Sequence, residues 1–235
     1  MFPAVFSKIV LYIYIFSLPL PYIPLIYTRV NTSAATFAIL FAAIVPTGCQ
    51  KSVTDTKLLP DTLQLEVGDV VFRRCTGLAS RMVIWSDADG MFSHTGIVVD
   101  SAGKKMVIHA VPGEPDFPGD PDRVKMEPVE RFFSTAHAIS AGACRPVDSE
   151  AGQQAARVAW EKYKEGILFD HAFDDSDTSQ LYCTELITHA YHRAGVELVG
   201  NERDTIDLPG MHFRCIMPSH LFHSTQLYPI FMSNS

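Results

Sequence analysis

This 235-residue sequence has no cluster of lysine and arginine, and it lacks the common motifs of metal and nucleotide chemistry. HExxH, paired CxxC, GxSxG and a phosphate-cradling glycine loop are all missing. Those absences set aside the best-marked metallopeptidase, zinc-ribbon, serine-hydrolase and P-loop classes. No internal repeat or low-complexity tract occurs, which excludes solenoid and biased-composition architectures. Carboxylates are absent from Met1 to Cys49, where Lys8 and Arg29 are the only charged side chains. The whole chain carries a formal charge of −7, so with those two cations set aside the remainder carries −9. A surface of that sign argues against nucleic acid as a partner.

What the N-terminal segment does have is two apolar runs. "IVLYIYIFSLPLPYIPLIY" is long enough to span a bilayer, although Pro19, Pro21 and Pro24 would kink or break a helix there. "AATFAILFAAIVPTGC" is shorter and ends in small residues before Cys49. It resembles a bacterial lipoprotein signal with Cys49 as the lipidation candidate, except that Pro46 stands where such signals usually carry leucine. The alternatives are an uncleaved membrane anchor, or a true start near Val30. The expected organisation is a signal or anchor over 1–49, a polar linker over 50–64 and one domain over 65–235. An exported, membrane-tethered protein of the periplasm or cell envelope follows from that organisation.

Only five cysteines are present: Cys49, Cys75, Cys144, Cys183 and Cys215. With Cys49 lipidated and Cys183 free, at most one disulfide can form, and the sequence selects no pair. Cys75 and Cys144 lie among strand-like residues and read as buried thiols.

Along the domain, "VGDVVFRR" predicts a strand and "GLASRMVIWSD" a short helix. "FSHTGIVVDS" and "KKMVIHAVPG" predict a hairpin closed at "AGK", and "GEPDFPGDPD" a surface loop. "PVERFFSTA" predicts a short helix and "HAISAGACRPV" a strand. "DSEAGQQAARVAWEKYKEG" predicts a helix capped by Asp148 or Ser149 and stopped by Gly166. "YCTELITHAYHRAG" predicts a second helix, with Leu186, Ile187, Ala190, Tyr191 and Ala194 buried. The tail offers a turn at "DLPG" and a short helix at "PSHLFHS". The simplest assembly is one α+β domain with a central antiparallel sheet packed with helices.

Cys183 falls at the start of the second helix, off its apolar stripe and beside Thr184 and Glu185. Unpaired N–H groups and the positive helix end stabilise a thiolate there, so a low-pKa thiol is expected. A thiol nucleophile needs a base, and the base needs an orienting partner. His94 and His109 lie on the two strands of the predicted hairpin at similar depth, so one imidazole can orient the other. Half-buried strand histidines satisfied by backbone groups are the bland alternative. His189 and His192 have an i, i+3 spacing that suits a metal but lack a third ligand at readable spacing, and so read as a solvated face.

"GDVVFRR", "FSHTGIVV", an apolar strand with a polar residue, and then "LFD" followed by "LYCTEL" together resemble the YiiX/YaeF-type permuted papain-like cysteine hydrolases of the NlpC-type superfamily. "MPSHLFHSTQLYPIF" is similar to that family's closing segment, so the resemblance covers roughly Leu65 to Phe231. It implies a circularly permuted papain-like fold, since His94 precedes Cys183 in the chain. Cys183 is then nucleophile, His94 base and later acid, and His109 the third polar residue, where many relatives carry Glu. Tyr182 would line the oxyanion site and Glu185 would support it. No cofactor or metal is implied.

These residues favour a cysteine amidase or peptidase acting on short peptides or peptide conjugates of the cell envelope. Lipid acyl hydrolysis or acyl transfer, a non-catalytic envelope lipoprotein, and a zinc site made by Cys183, His94 and His109 are the competing readings. Oligomeric state is not legible.

Overall fold

The computed structural model describes residues 56–87, 89–174, 176–208 and 211–233. Both apolar runs, Cys49 and the boundary drawn there lie outside them. Among the described residues, no helix is long and apolar enough to cross a membrane.

The domain is built on a six-stranded, wholly antiparallel sheet in the order β4-β3-β2-β1-β5-β8. Its strands are β1 (Val70–Arg74), β2 (His94–Ser101), β3 (Lys104–Val111), β4 (Arg123–Pro128), β5 (Ser140–Pro146) and β8 (Leu227–Met232). A separate hairpin pairs β6 (Asp204–Leu208) with β7 (Met211–Cys215). The helices are α1 (Leu78–Ser86), α2 (Val129–Phe132), α3 (Ser149–Glu165), α4 (Cys183–Arg193) and α5 (Pro218–Phe222).

Side-chain alternation along the strands separates two apolar layers. Val70, Phe72, Ile97, Val99, Ile108 and Ala110 face α3 and α4, which contribute Ala155, Val158, Ala159, Leu186, Ile187 and Ala190. Each large side chain sealed there contributes about 1.5–3 kcal/mol relative to exposure. On the other face, Val71, Val98, Val107 and Ala143 meet Phe132 and Phe133 at α2. Leu59 is buried in that second layer, with Leu58 and Leu63 packed beside it. Part of the stretch expected to be a free linker therefore lies on the domain, because its leucines cover the sheet.

Local signals explain the main elements. Asp148 accepts the N–H groups of Glu150 and Ala151 at 2.9 and 3.1 Å, which starts α3, and Gly166 at φ 68° ends it. Ala102 and Gly103 both take positive φ between Ser101 and Lys104, closing the β2–β3 hairpin through a two-residue turn. Gly68, at φ +96°, lies where a Cβ would meet the Gly152 backbone at 2.5 Å, so this pair of glycines lets α3 press against the entry to β1. Tyr191 donates its hydroxyl to Gly68 O at 2.6 Å, which ties α4 to the same point.

Candidate active site

The start of α4 is pinned from three directions. Glu185 accepts the Tyr182 N–H at 3.3 Å, the return half of a capping box. Thr184 donates to Ile216 O at 2.7 Å, and the Ile216 N–H donates to the Tyr182 hydroxyl at 3.1 Å. Cys183 is thereby held with its sulfur facing the backbone N–H groups of Thr95, Thr184 and Cys183 itself.

The Thr95 amide reaches the sulfur because the sheet opens there. Pairing between β2 and β3 runs from Ser101↔Lys104 to Ile97↔Ile108 and stops, so the first residues of β2 part from the last residues of β3. The imidazoles bridge that opening, with His94 Nε2 2.8 Å from His109 Nδ1. Gly96 makes room for the bridge, since a Cβ at this position would meet Val107 Cγ1 at 2.5 Å and His109 Cβ at 3.2 Å.

Beyond His109 stands Glu127 of β4, its Oε1 3.3 Å from His109 Nε2. The contact is oblique, and through it and through its charge Glu127 favours a proton on His109. Arg73 approaches the same carboxylate oxygen at 3.3 Å and Arg131 approaches Oε2 at 3.1 Å. Burial opposes ionisation of Glu127, but His109, Arg73 and Arg131 hold its carboxyl down to about 2. Burial, then the charges of Arg73 and His109, holds the His94 imidazole well below its ordinary range. Burial lowers His109 as well, against the pull of Glu127.

A neutral pair beside a fixed carboxylate selects one tautomer chain. His109 keeps its proton on Nε2 toward Glu127, and its Nδ1 accepts from His94 Nε2–H. His94 Nδ1 is left with a free lone pair, the form a general base requires.

The thiol departs from the sequence expectation. Burial pushes Cys183 up to about 11, outweighing the three N–H groups that favour the thiolate. The helix start does act in the expected direction, but desolvation is the larger effect here.

Cys183 and His94 line one cavity of about 270 Å³, walled by Val83, Val111, Pro112, Phe169 and Phe173. α4 packs on one face of the sheet, while His94 sits on the other with Arg73 and His109. The two meet at the opening between β2 and β3, where the sulfur contacts the residue next to His94. No hydrogen bond joins Cys183 Sγ to His94 in this structure, so proton transfer needs the sulfur and the imidazole to draw closer. A larger depression of about 590 Å³ between α3 and the β2–β3 hairpin offers no thiol or imidazole.

Other expected residues fall elsewhere. Tyr182 is buried, packs on Phe173 with ring centroids 5.2 Å apart and does not line the cavity. Tyr182 and Glu185 thus build the helix cap, and neither lines the cavity. Among the described residues, no group of three His, Cys, Asp or Glu side chains is arranged to hold a metal ion. His192 pairs with Glu197, and His171, His220 and His223 each meet an aspartate. Among the described residues, Cys75, Cys144, Cys183 and Cys215 form no disulfide. Sequence reasoning missed Glu127, Arg73 and the cavity residues Glu114 and His137. The alternation in "RVKMEP", with Val124 and Met126 apolar and Lys125 and Glu127 polar, is the signal that marks β4 and its carboxylate.

A family model described as permuted papain-like amidase enzyme, YaeF/YiiX, C92 family, matches residues 64–230. The chain belongs to this family. Its α+β fold with a central antiparallel sheet accords with the permuted papain-like fold expected of that family. The metalloprotein yiiX from Escherichia coli O157:H7 is a solved structure with this fold. It is 20% identical, with a TM-score of 0.60 over 74% of this chain and 100% of that one. No curated protein matches the sequence.

Proposed function

We propose that the protein is a cysteine hydrolase cleaving an amide bond in short peptides or peptide conjugates, through Cys183 and the His94–His109–Glu127 relay. The observation carrying this reading is the shared cavity, in which a thiol under three backbone N–H groups accompanies an imidazole whose second nitrogen is unprotonated.

The reaction starts from neutral partners. His94 Nδ1 takes the thiol proton as Cys183 Sγ bonds to the carbonyl carbon, so the costly buried thiolate is never a resting state. The carbonyl oxygen becomes an oxyanion, for which the N–H groups of Cys183 and Thr95 are donors without sheet partners. His94 then gives its proton to the leaving nitrogen as the C–N bond breaks, and a thioester remains. Water adds to the thioester carbonyl carbon, passing a proton to His94. The C–S bond then breaks, the carboxylic acid leaves, and that proton returns to sulfur to restore the thiol. Glu127 and His109 stabilise the transient His94 imidazolium.

An ester-bearing or lipid-like acyl group is a second reading, favoured by the aromatic and aliphatic walls of the cavity. A panel of peptide anilides and acyl esters, with Cys183→Ala as control, separates the two. Turnover of anilides lost in the variant supports the amidase, and turnover of esters alone supports the second reading. We further propose that the domain works outside the cytoplasmic membrane, tethered by a lipid on Cys49. Metabolic labelling with a fatty acid in a bacterial host, lost in Cys49→Ser, is the expected result.

A further inference from the structure

We propose that Arg73 is a positioning residue that joins the wall of the substrate cavity to the imidazole pair. The proposal rests on the hydrolase reading above, but part of its test does not depend on turnover.

Arg73 lies on β1 directly opposite His94 in register, and its side chain is fully buried. Its guanidinium reaches three elements at once. Nη2 donates to Glu114 Oε1 at 2.5 Å, and Nη1 donates to Glu127 Oε1 at 3.3 Å and to Phe132 O at 3.2 Å. Cζ sits 4.6 Å over the Phe132 ring, whose centroid is 5.8 Å from that of His94 and 5.4 Å from that of His109. Glu114 belongs to the β3–β4 loop and lines the cavity, while Glu127 faces His109. One planar fork therefore spans the substrate side and the orienting side of the site, which a lysine cannot reproduce.

The fork has an electrostatic consequence too. The charged or titratable neighbours of the imidazole pair are Arg73 on β1, Lys125 and Glu127 on β4 and Arg131 on α2. Lys125 lies opposite His109 in register, with its ammonium turned to Glu114 O and Asp116. Glu114 and His137 stand in the flanking loops, and Cys75 and Cys183 stand in the cavity. Glu127 and Glu114 both favour a protonated His109, whereas Arg73, directly opposite His94 in register, disfavours a charge on either ring. Burial is the first cause that keeps His94 a neutral base, and the Arg73 charge adds to it. A residue serving only to neutralise a buried acid would have no reason to bond the cavity wall as well.

The test compares full-length wild type with Arg73→Met, Arg73→Lys and Glu114→Gln. Two readouts are taken: the acid limb of kcat/KM, and the His94 imidazole titration by NMR without substrate, assigned with His94→Gln. Arg73→Met is expected to move both to higher pH and to lower kcat about 100-fold through misplacement of the relay. Glu114→Gln is expected to move both to lower pH, since it leaves the Arg73 charge less offset. Arg73→Lys is expected to keep the titration near wild type while still losing kcat. Unmoved titrations in folded Arg73→Met and Glu114→Gln would overturn the proposal. If Arg73→Met does not fold, Glu114→Gln decides alone. Absence of turnover in wild type would sink the hydrolase reading, while the NMR titration would still test Arg73.

Discussion

At the scale of single residues, Cys183 sits where two effects oppose each other. Three N–H groups favour its thiolate, burial disfavours it, and burial is the larger, leaving the thiol at about 11. Its alkylation rate should therefore climb steadily from pH 7 past pH 9, with no midpoint below that of a free cysteine. A midpoint near pH 6 would show a pre-formed thiolate. His94 supplies the base, so His94→Ala should lower kcat by about 10²–10⁴-fold with the fold retained. His109→Ala should cost less, because it removes the orienter and not the proton acceptor. Equal losses would remove the distinction between base and orienter. Cys183 and His94 were legible in the sequence because each lies in a short local pattern, a helix start and a strand entry. Glu127 was not, because its contact to His109 crosses from β3 to β4 and no local spacing records it.

Elements place those residues, and here the opening between β2 and β3 matters most. Gly96→Ala should push His109 away, since the new Cβ would stand 2.5 Å from Val107 Cγ1 and 3.2 Å from His109 Cβ. A stability loss of about 1–3 kcal/mol with a larger fall in kcat is expected from denaturation and kinetics. The turn before α4 shapes the other wall. Asp170 accepts the N–H groups of Ala172 and Asp174 at 2.7 and 2.6 Å, holding Phe173 between them at φ 54°. Asp170→Ala should release that ring and raise KM more than it lowers kcat. α3, α4 and the β2–β3 hairpin were readable because caps, turn residues and periodicity agree along their length. β6–β7 was not, because each strand is only five residues long and the Pro-Gly pair between them reads as a loop, although Met211, Phe213 and Cys215 alternate with His212 and Arg214.

The whole molecule carries this buried chemistry into its stability. His94 and His109 lie below 6.5 in the folded chain, so the unfolded chain binds protons first and stability falls as pH drops under 6.5. Glu127 adds stability that is complete above 4.5 and lost as pH falls toward about 2. At the other end, Cys183 at about 11 and Cys144 at about 12 ionise first in the unfolded chain, so stability falls above 9.0. Denaturation midpoints across pH should thus show a plateau from 6.5 to 9.0, and a plateau extending to pH 5 would contradict buried neutral imidazoles. The most direct test of the central claim is intact-protein and peptide mass spectrometry during turnover of an activated acyl substrate. An acyl mass on Cys183 alone is predicted, decaying as product appears and absent in Cys183→Ala. Turnover that persists in Cys183→Ala, or an acyl group found on Cys75 instead, would contradict it.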